Sequence, residues 1–537
     1  MLSATALLCS SLMAFTACSG DQAAAVQSDP AASKKSMDED VKEDQTQAKE
    51  SAGEVKELAL KKASHTNPVT GDTGSGEIVY GGDPSALVDG DKVYLYTGHD
   101  VSTDMEVKDS IYNIPEYLCY STDNMQDFTY EGVVMTMDKV SWAANATSAW
   151  ASQVEKYKDK YYLYYCSWEK NGKQSIGVAV SDSPTGPFED IGEPLVRGNF
   201  TKPNTSSFND IDPTVLVDTD EKGEEHRYLA WGNSILFICE LNEDMISVKD
   251  INGDGEITCG AAETGNIEND IIKRTTGISE YTEAPWLYKG KDRYYLFFAH
   301  KWRECMAYAT TDDLLTGEWK DQTLIMNPTS TSNTNHPAVI DFKGKTYFIG
   351  HNGALPAGSG FRRSATVQEL TFNEDGSIDI MEESASGIMQ ETLSIKTPDG
   401  SLISHESYDN SLADSDYPYK EVKLGSGLGS GEKDSLFVLK KGKADKDNEY
   451  YVSIESENKP GLYFTVTEDD KIVLSQDTDA SEETAKAQTF RSLSALDKSQ
   501  GVSLESVSKP GFYITLDAGG LILSDGSEPE KTVFIIE

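Results

Sequence analysis

Basic side chains are scarce in this chain. Against 90 Asp and Glu it carries 47 Lys and Arg in 537 residues, a formal charge of −43, and only 7 His. Nucleic-acid affinity rests on clustered Lys and Arg, and so does docking onto anionic lipid, so the balance excludes both as the main business of the surface. Cysteine is also sparse: seven residues, at 9, 18, 119, 166, 239, 259 and 305, none of them in a Cys-x-x-Cys pair. That spacing excludes a zinc ribbon and indicates no disulfide framework. Most of these cysteines sit beside Tyr, Ile or Trp and read as small core residues. Long apolar runs are missing too. The longest, Ala4 to Ala17, is too short to cross a bilayer, and nothing later resembles a transmembrane helix. What the chain does have is Tyr, 26 residues of it, which fits strand-rich structure and aromatic surfaces for a neutral partner such as a carbohydrate. An acidic surface of this strength keeps a protein soluble outside the cell.

The apolar run ends in Phe15-Thr16-Ala17-Cys18. This reads as a signal peptide over 1–18 and resembles the lipobox of bacterial lipoproteins, which implies lipid on Cys18 and a cell-surface, extracellular location. No Lys or Arg precedes the run, and Phe15 stands where an aliphatic residue is usual. Residues 19–75 are rich in Ala, Ser, Asp, Glu, Lys and Gln and nearly lack aromatics. That composition predicts a disordered tether between the anchor and a folded unit.

From residue 76 a repeat takes over. Five segments each pair a first strand with a Tyr-rich second strand: Asp83 to Val88 with Val93 to Tyr96, Ser152 to Glu155 with Tyr161 to Tyr165, Asp212 to Val217 with Tyr228 to Trp231, Glu283 to Leu287 with Tyr294 to Phe298, and His336 to Ile340 with Tyr347 to Gly350. The markers Tyr94, Tyr162, Tyr228, Tyr295 and Tyr347 are spaced by 68, 66, 67 and 52 residues. Asp89-Gly90, Lys289-Gly290 and Lys343-Gly344 supply hairpin turns. Hairpins repeated at such a period imply radial repetition, so the expected fold is all-β, a five-bladed β-propeller over 76–395. Beyond it, Ser453-Ile-Glu-Ser-Glu-Asn-Lys-Pro-Gly-Leu-Tyr-Phe-Thr465 recurs fifty residues later as Ser503-Leu-Glu-Ser-Val-Ser-Lys-Pro-Gly-Phe-Tyr-Ile-Thr515, and Ser404-His-Glu-Ser407 reads as a degraded first copy. Three such units over 400–537 predict a β-trefoil-like second domain.

In a propeller the first strand of each blade lines the central channel. Aligning the repeats therefore brings Asp83, Asp212, Glu283 and His336 to one mouth, with Trp150-Ala151-Ser152 at the matching place in the second repeat. Pro84, Pro213, Pro285 and Pro337 lie close by, where a strand start tolerates proline. Three facing carboxylates suit glycoside hydrolysis by general acid and base, because close like charges keep one member protonated. A gap of about 6.5–9.5 Å between acid and base leaves room for water and gives inversion, and about 5–5.5 Å gives retention.

Gly82-Asp83-Pro84, Ile211-Asp212-Pro213, Thr282-Glu283-Ala284-Pro285, the run Ile176 to Phe188 and the run His351 to Arg363 together resemble glycoside hydrolase family 43. That resemblance implies an inverting enzyme removing arabinofuranosyl or xylosyl units from plant polysaccharide. It implies Asp83 as the base, Glu283 as the acid and Asp212 as the residue that tunes the acid. His336 matches a histidine beside a channel calcium and is thereby both a metal and a substrate contact. Trp150 and Asn352 are expected to touch sugar, and Arg362, with Arg363 adjoining, to lie near the carboxylates. Ser152 departs from the family's usual Pro. The C-terminal repeat resembles the arabinofuranosidase-B-type carbohydrate-binding module (family 42), with Tyr463, Tyr513, Asp477 and Asp525 as candidate sugar contacts. Thr465 and Thr515 stand where that module has His, so sugar binding and a purely structural cap both remain open. Asp250 to Ile257 imitates half of an EF-hand loop, but position twelve is Ala261 and a turn-rich blade loop is the better reading. The expectation is an α-L-arabinofuranosidase acting as a monomer. The alternatives are a β-xylosidase and a non-catalytic glycan-binding lipoprotein.

Overall fold

The computed structural model describes residues 54–261, 267–407 and 421–537. The signal segment, Cys18 and residues 19–53 of the expected tether lie outside the described residues.

Alternating apolar residues pair the strands into antiparallel sheets. The first blade joins Tyr80–Asp89, Lys92–Asp100, Glu116–Thr122 and Thr129–Thr136 in sequence order. The second joins Ser152–Tyr157, Lys160–Trp168, Gln174–Ser181 and Glu189–Asp190, and the fourth joins Tyr281–Lys289, Tyr294–His300, Cys305–Thr311 and Lys320–Met326. In the third blade Thr214–Thr219, Glu225–Trp231 and Phe237–Glu240 are followed by Ile271–Lys273, which pairs in parallel with Cys259–Ala261. The fifth has Ala338–Phe342, Lys345–Asn352 and Ser364–Leu370. First strands touch in cyclic order, one to two through to five and back to one, which closes the ring. Cys119, Cys166, Cys239 and Cys305 are buried among the blades as free thiols.

The outer edge of blade five is covered from an unexpected quarter. Asn67 is 1% exposed. Its side-chain amide donates to the carbonyls of Val367 (3.1 Å) and Ser384 (2.8 Å) and accepts from Val367 N–H (3.0 Å). Val69 N–H donates to Ala365 O, and Thr70 Oγ1 accepts from Ala365 N–H. Upstream, Lys56 and Leu58 hydrogen-bond along Ser492 and Ser494 of the second domain, and Ala63 N–H reaches Leu439 O. Residues 54–75 are therefore not a tether. They lack aromatics but satisfy their backbone through side-chain and main-chain hydrogen bonds, and Leu60 and Val69 pack onto the trefoil and propeller cores.

Among the described residues the second domain holds twelve short strands, from Leu393–Lys396 to Ile535–Ile536, around a core that includes Phe437, Ile454, Phe464, Leu474, Phe490, Leu504 and Leu523. Two four-strand units carry the two repeats. The third combines Leu393–Lys396, Ile403–His405 and Val422–Ser426 with Ile535–Ile536, so Ser404-His405 does mark a first copy. Leu393–Lys396 lies within this trefoil-like domain, which shifts the expected propeller limit of 395 a few residues upstream.

Candidate active site

The carboxylates stand at the ring's mouth because the backbone there is bent on purpose. Asp83 and Asp212 have φ of 52° and 59°, and Ala284, directly after Glu283, has 57°. Pairing slips between Gly82 and Ser85, and between Glu283 and Trp286. A bulge of this kind re-aims side chains, and the prolines that follow remove N–H groups that an interrupted ladder leaves unpaired. Asp visits the left-handed region more easily than most residues. Gly82 has a separate reason: a Cβ there would meet Arg363 Nε at 2.1 Å.

Asp83, Asp212, Glu283, His336 and Trp150 all line one cavity of about 470 Å³. Asp83 accepts from Arg363 Nη1 at 2.6 Å. Burial works to raise its pKa, but the Arg363 guanidinium, with His351 and His336 beside it, holds the carboxyl below its ordinary value. Asp100, 1% exposed, grips the same guanidinium from behind, at 2.9 Å to Nε and 3.0 Å to Nη2. Glu283 goes the other way. Burial raises its pKa, only partly offset by hydrogen bonds from Glu304 and from Asn233 Nδ2 (2.6 Å). Asp212 is pushed well up by burial first, then by Glu283 and Asp83. Its Oδ2 accepts from Ala284 N–H at 3.0 Å, which ties it to the backbone carrying Glu283. The pKa of Asp83 is thus drawn down and that of Glu283 drawn up within a single cavity, the opposed tuning that acid–base chemistry needs.

Arg363, not Arg362, is the arginine of the site. Arg363 is 2% exposed, whereas Arg362 turns outward to Asp104 and the carbonyl of Ser102. Both lie just ahead of strand Ser364–Leu370, and their side chains leave the chain in different directions, so a one-residue slip exchanges the roles. Asn352 does not line the cavity. It is buried, donating to Glu383 Oε1 and accepting from Ala354 N–H. Its neighbour His351 was not anticipated. The His351 Nδ1 accepts from Asp83 N–H (3.1 Å) while Nε2 faces Thr334 O (3.0 Å), and burial takes its pKa down to about 3. A neutral imidazole so held fixes the bend at Asp83. No repeat or motif marked it out.

His336 is likewise neutral, lowered to about 4 by burial. It is the one imidazole this cavity offers a cation. Among the described residues the only group of three clustered ligating side chains is Asp220, Glu224 and His226, away from the cavity. Calcium favours six to eight oxygens, waters and carbonyls included, so a channel calcium beside His336 would draw most of its ligands from groups other than clustered acidic side chains. Trp150 stacks on Phe208, 6.0 Å between centroids and 13° between planes, and Trp302 stands 69% exposed at the cavity edge.

The two trefoil repeats differ in surroundings. Asp477 is 3% exposed and pairs with Lys443 at 2.7 Å, and the Lys443 ammonium lies 4.2 Å from the Tyr463 ring centre. Both candidate contacts are buried, and Asp477 lies against the propeller. Asp477 O accepts from Ala357 N–H, and Gln476 Nε2 donates to the carbonyls of Gly353 and Gly358. Neither is open to sugar. The second pair is open: Asp525 is exposed and Tyr513 half-buried.

A family model described as glycosyl hydrolases family 43 matches residues 78–378, and one described as the alpha-L-arabinofuranosidase B (ABFB) domain matches 392–532. A xylosidase/arabinosidase 43A of Humicola insolens is 28% identical over 336 residues, covering 56% of this chain and 96% of the relative. An arabinoxylan arabinofuranohydrolase of Paenibacillus polymyxa is 26% identical, covering 58% of this chain and 51% of the relative. Among solved structures, an α-L-arabinofuranosidase from Clostridium thermocellum is 29% identical with a TM-score of 0.45, covering 57% of this chain and 95% of its own.

Proposed function

Since the chain belongs to glycosyl hydrolases family 43, we propose that it is an inverting exo-glycosidase releasing L-arabinofuranosyl, or D-xylosyl, units from plant hemicellulose such as arabinoxylan or arabinan. The observation that carries the reading is that Asp83, bound to Arg363, and Glu283, which meets no cation among the described residues, face one cavity, with their pKa values drawn in opposite directions. Asp83 takes a proton from water as the oxygen attacks the anomeric carbon. Glu283 gives its proton to the glycosidic oxygen as that bond breaks, leaving the sugar with a new hydroxyl on the opposite face. Asp212 is a positioning group, set on the backbone beside the acid. The Trp150–Phe208 surface offers an apolar face to a sugar ring. The relatives' names span both arabinosidases and xylosidases, and the ABFB match favours arabinose. No step uses a metal.

A panel of nitrophenyl pentosides, arabinoxylan and arabinan tests the reading. Release of arabinose or xylose, with the inverted anomer seen first by NMR, is expected. Binding without turnover across the panel would leave a glycan-capture protein instead. We further propose lipid attachment at Cys18 and a bacterial cell-surface location. This rests on the sequence at 15–18, and the link to the folded chain then shortens to 19–53.

A further inference from the structure

A fourth carboxyl touches the acid. We propose that Glu304 acts as a positioning residue that keeps its own proton and donates it in a hydrogen bond to Glu283, an inference that rests on Glu283 being the acid.

Glu304 lies in the turn just before strand Cys305–Thr311 and is 2% exposed. Its Oε2 accepts from Asn335 N–H at 3.0 Å. Its Oε1 is buried and meets no nitrogen or hydroxyl donor among the described residues. What it meets is Glu283, within hydrogen-bonding reach. Two carboxylates have four acceptor oxygens and no donor between them, so the contact is favourable only if one carries a proton. The groups facing this pair are Asp83 and Asp212, which oppose a second negative charge, Arg363, which supports one, and the buried Tyr281 and Cys166, which stay neutral. Arg363 is already spent on Asp83 and Asp100. Asn233 Nδ2 donates to Glu283 and no such donor serves Glu304 Oε1, so once the pair has lost one proton the anion is better placed on Glu283 and the remaining proton on Glu304.

The consequence falls on the state after bond cleavage. Glu283 has given one proton to the leaving oxygen and would be a bare buried carboxylate. Glu304 keeps its proton but shares it across the new carboxyl–carboxylate contact, which stabilises the anion. Solvent then returns one proton to Glu283. Glu304 is neither consumed nor changed over the cycle.

Removing the donor makes Glu283 a weaker acid. Glu304→Ala is therefore expected to move the basic limb of the kcat/KM profile up by about one pH unit, a tenfold change in the acid's ionisation. Turnover should fall more on arabinoxylan than on a nitrophenyl glycoside, whose leaving group needs little protonation. Glu304→Gln, which keeps a donor, should return the limb to the wild-type position. An unmoved or lowered limb in Glu304→Ala, or a Gln variant that copies it, overturns the proposal. Carboxyl ¹³C titration of the unmodified protein decides it without turnover and without reliance on a variant folding. Glu283 should ionise before Glu304, and the reverse order overturns the proposal. A fully active Glu283→Gln would instead refute the assignment of the acid.

Discussion

Arg362 and Arg363 are adjacent, alike in sequence, and opposite in consequence. Arg363→Met removes one guanidinium from two buried carboxylates, Asp83 and Asp100. Breaking a buried pair from one side costs about 3–5 kcal/mol, because the partner charge stays behind. Set against a typical stability of about 5–15 kcal/mol, the variant should fold but unfold at clearly lower urea. The pH dependence carries the sharper signature. In the wild type the folded pKa of Asp83 is depressed, so its contribution is present above the unfolded value and is lost as pH falls through the folded one. Without Arg363 the effect of burial on Asp83 is opposed only by His351 and His336, and the folded pKa rises. An arginine neighbour lowers an Asp by about 1–3 units, so the acid limb of kcat/KM should move up by about that much. Arg362→Ala breaks a contact with Asp104, whose side chain is 94% exposed, and should cost no more than about 1 kcal/mol with both limbs in place. Urea titration and pH profiles of the two variants decide between them. An acid limb unmoved in Arg363→Met, or an Arg362→Ala variant with the same losses, would refute the reasoning.

Glu283→Gln keeps the shape of the acid but has no proton to give, and should cut turnover on arabinoxylan by about 10²–10⁴-fold with the unfolding midpoint little changed. Asn67→Ala leaves the Val367 main chain and the Ser384 carbonyl without their partner in a buried place. A loss of about 2–3 kcal/mol is expected in urea unfolding, which no tether residue would show. Cys18→Ala should abolish incorporation of labelled fatty acid in the bacterial host and release the protein from the membrane fraction. Unchanged labelling would place the lipid elsewhere or remove it.

Much of the architecture was legible because a propeller writes the same hairpin again and again. The Tyr spacing located the blades, and the shared strand-start position brought Asp83, Asp212, Glu283 and His336 together before any coordinates. Failures arose where a residue's role depends on its neighbours rather than its place in a repeat. Register separates Arg363 from Arg362 by one residue. Tyr463 and Tyr513 are equivalent in sequence, but one is buried and the other only half-buried. Asn67 replaces a strand edge with a side-chain amide, which composition cannot reveal. His351 and Glu304 lie off the inner-strand pattern, and nothing in their local sequence distinguishes them from structural residues.

The segment from Lys56 to Thr70 meets partners as far as 438 residues ahead of it in the chain. It is synthesised early, yet its hydrogen bonds with Val367, Leu439 and then Ser492 and Ser494 become possible only in turn, the last when most of the chain exists. Closing so long a loop is slow and falls late in folding. A polypeptide interrupted before about residue 490 would leave Lys56 and Leu58 without their partners, while the bonds from Asn67 and Val69 to blade five could already form. The strip thus ties one stretch of chain to two units finished at different times, the blade-five edge first and the trefoil flank last.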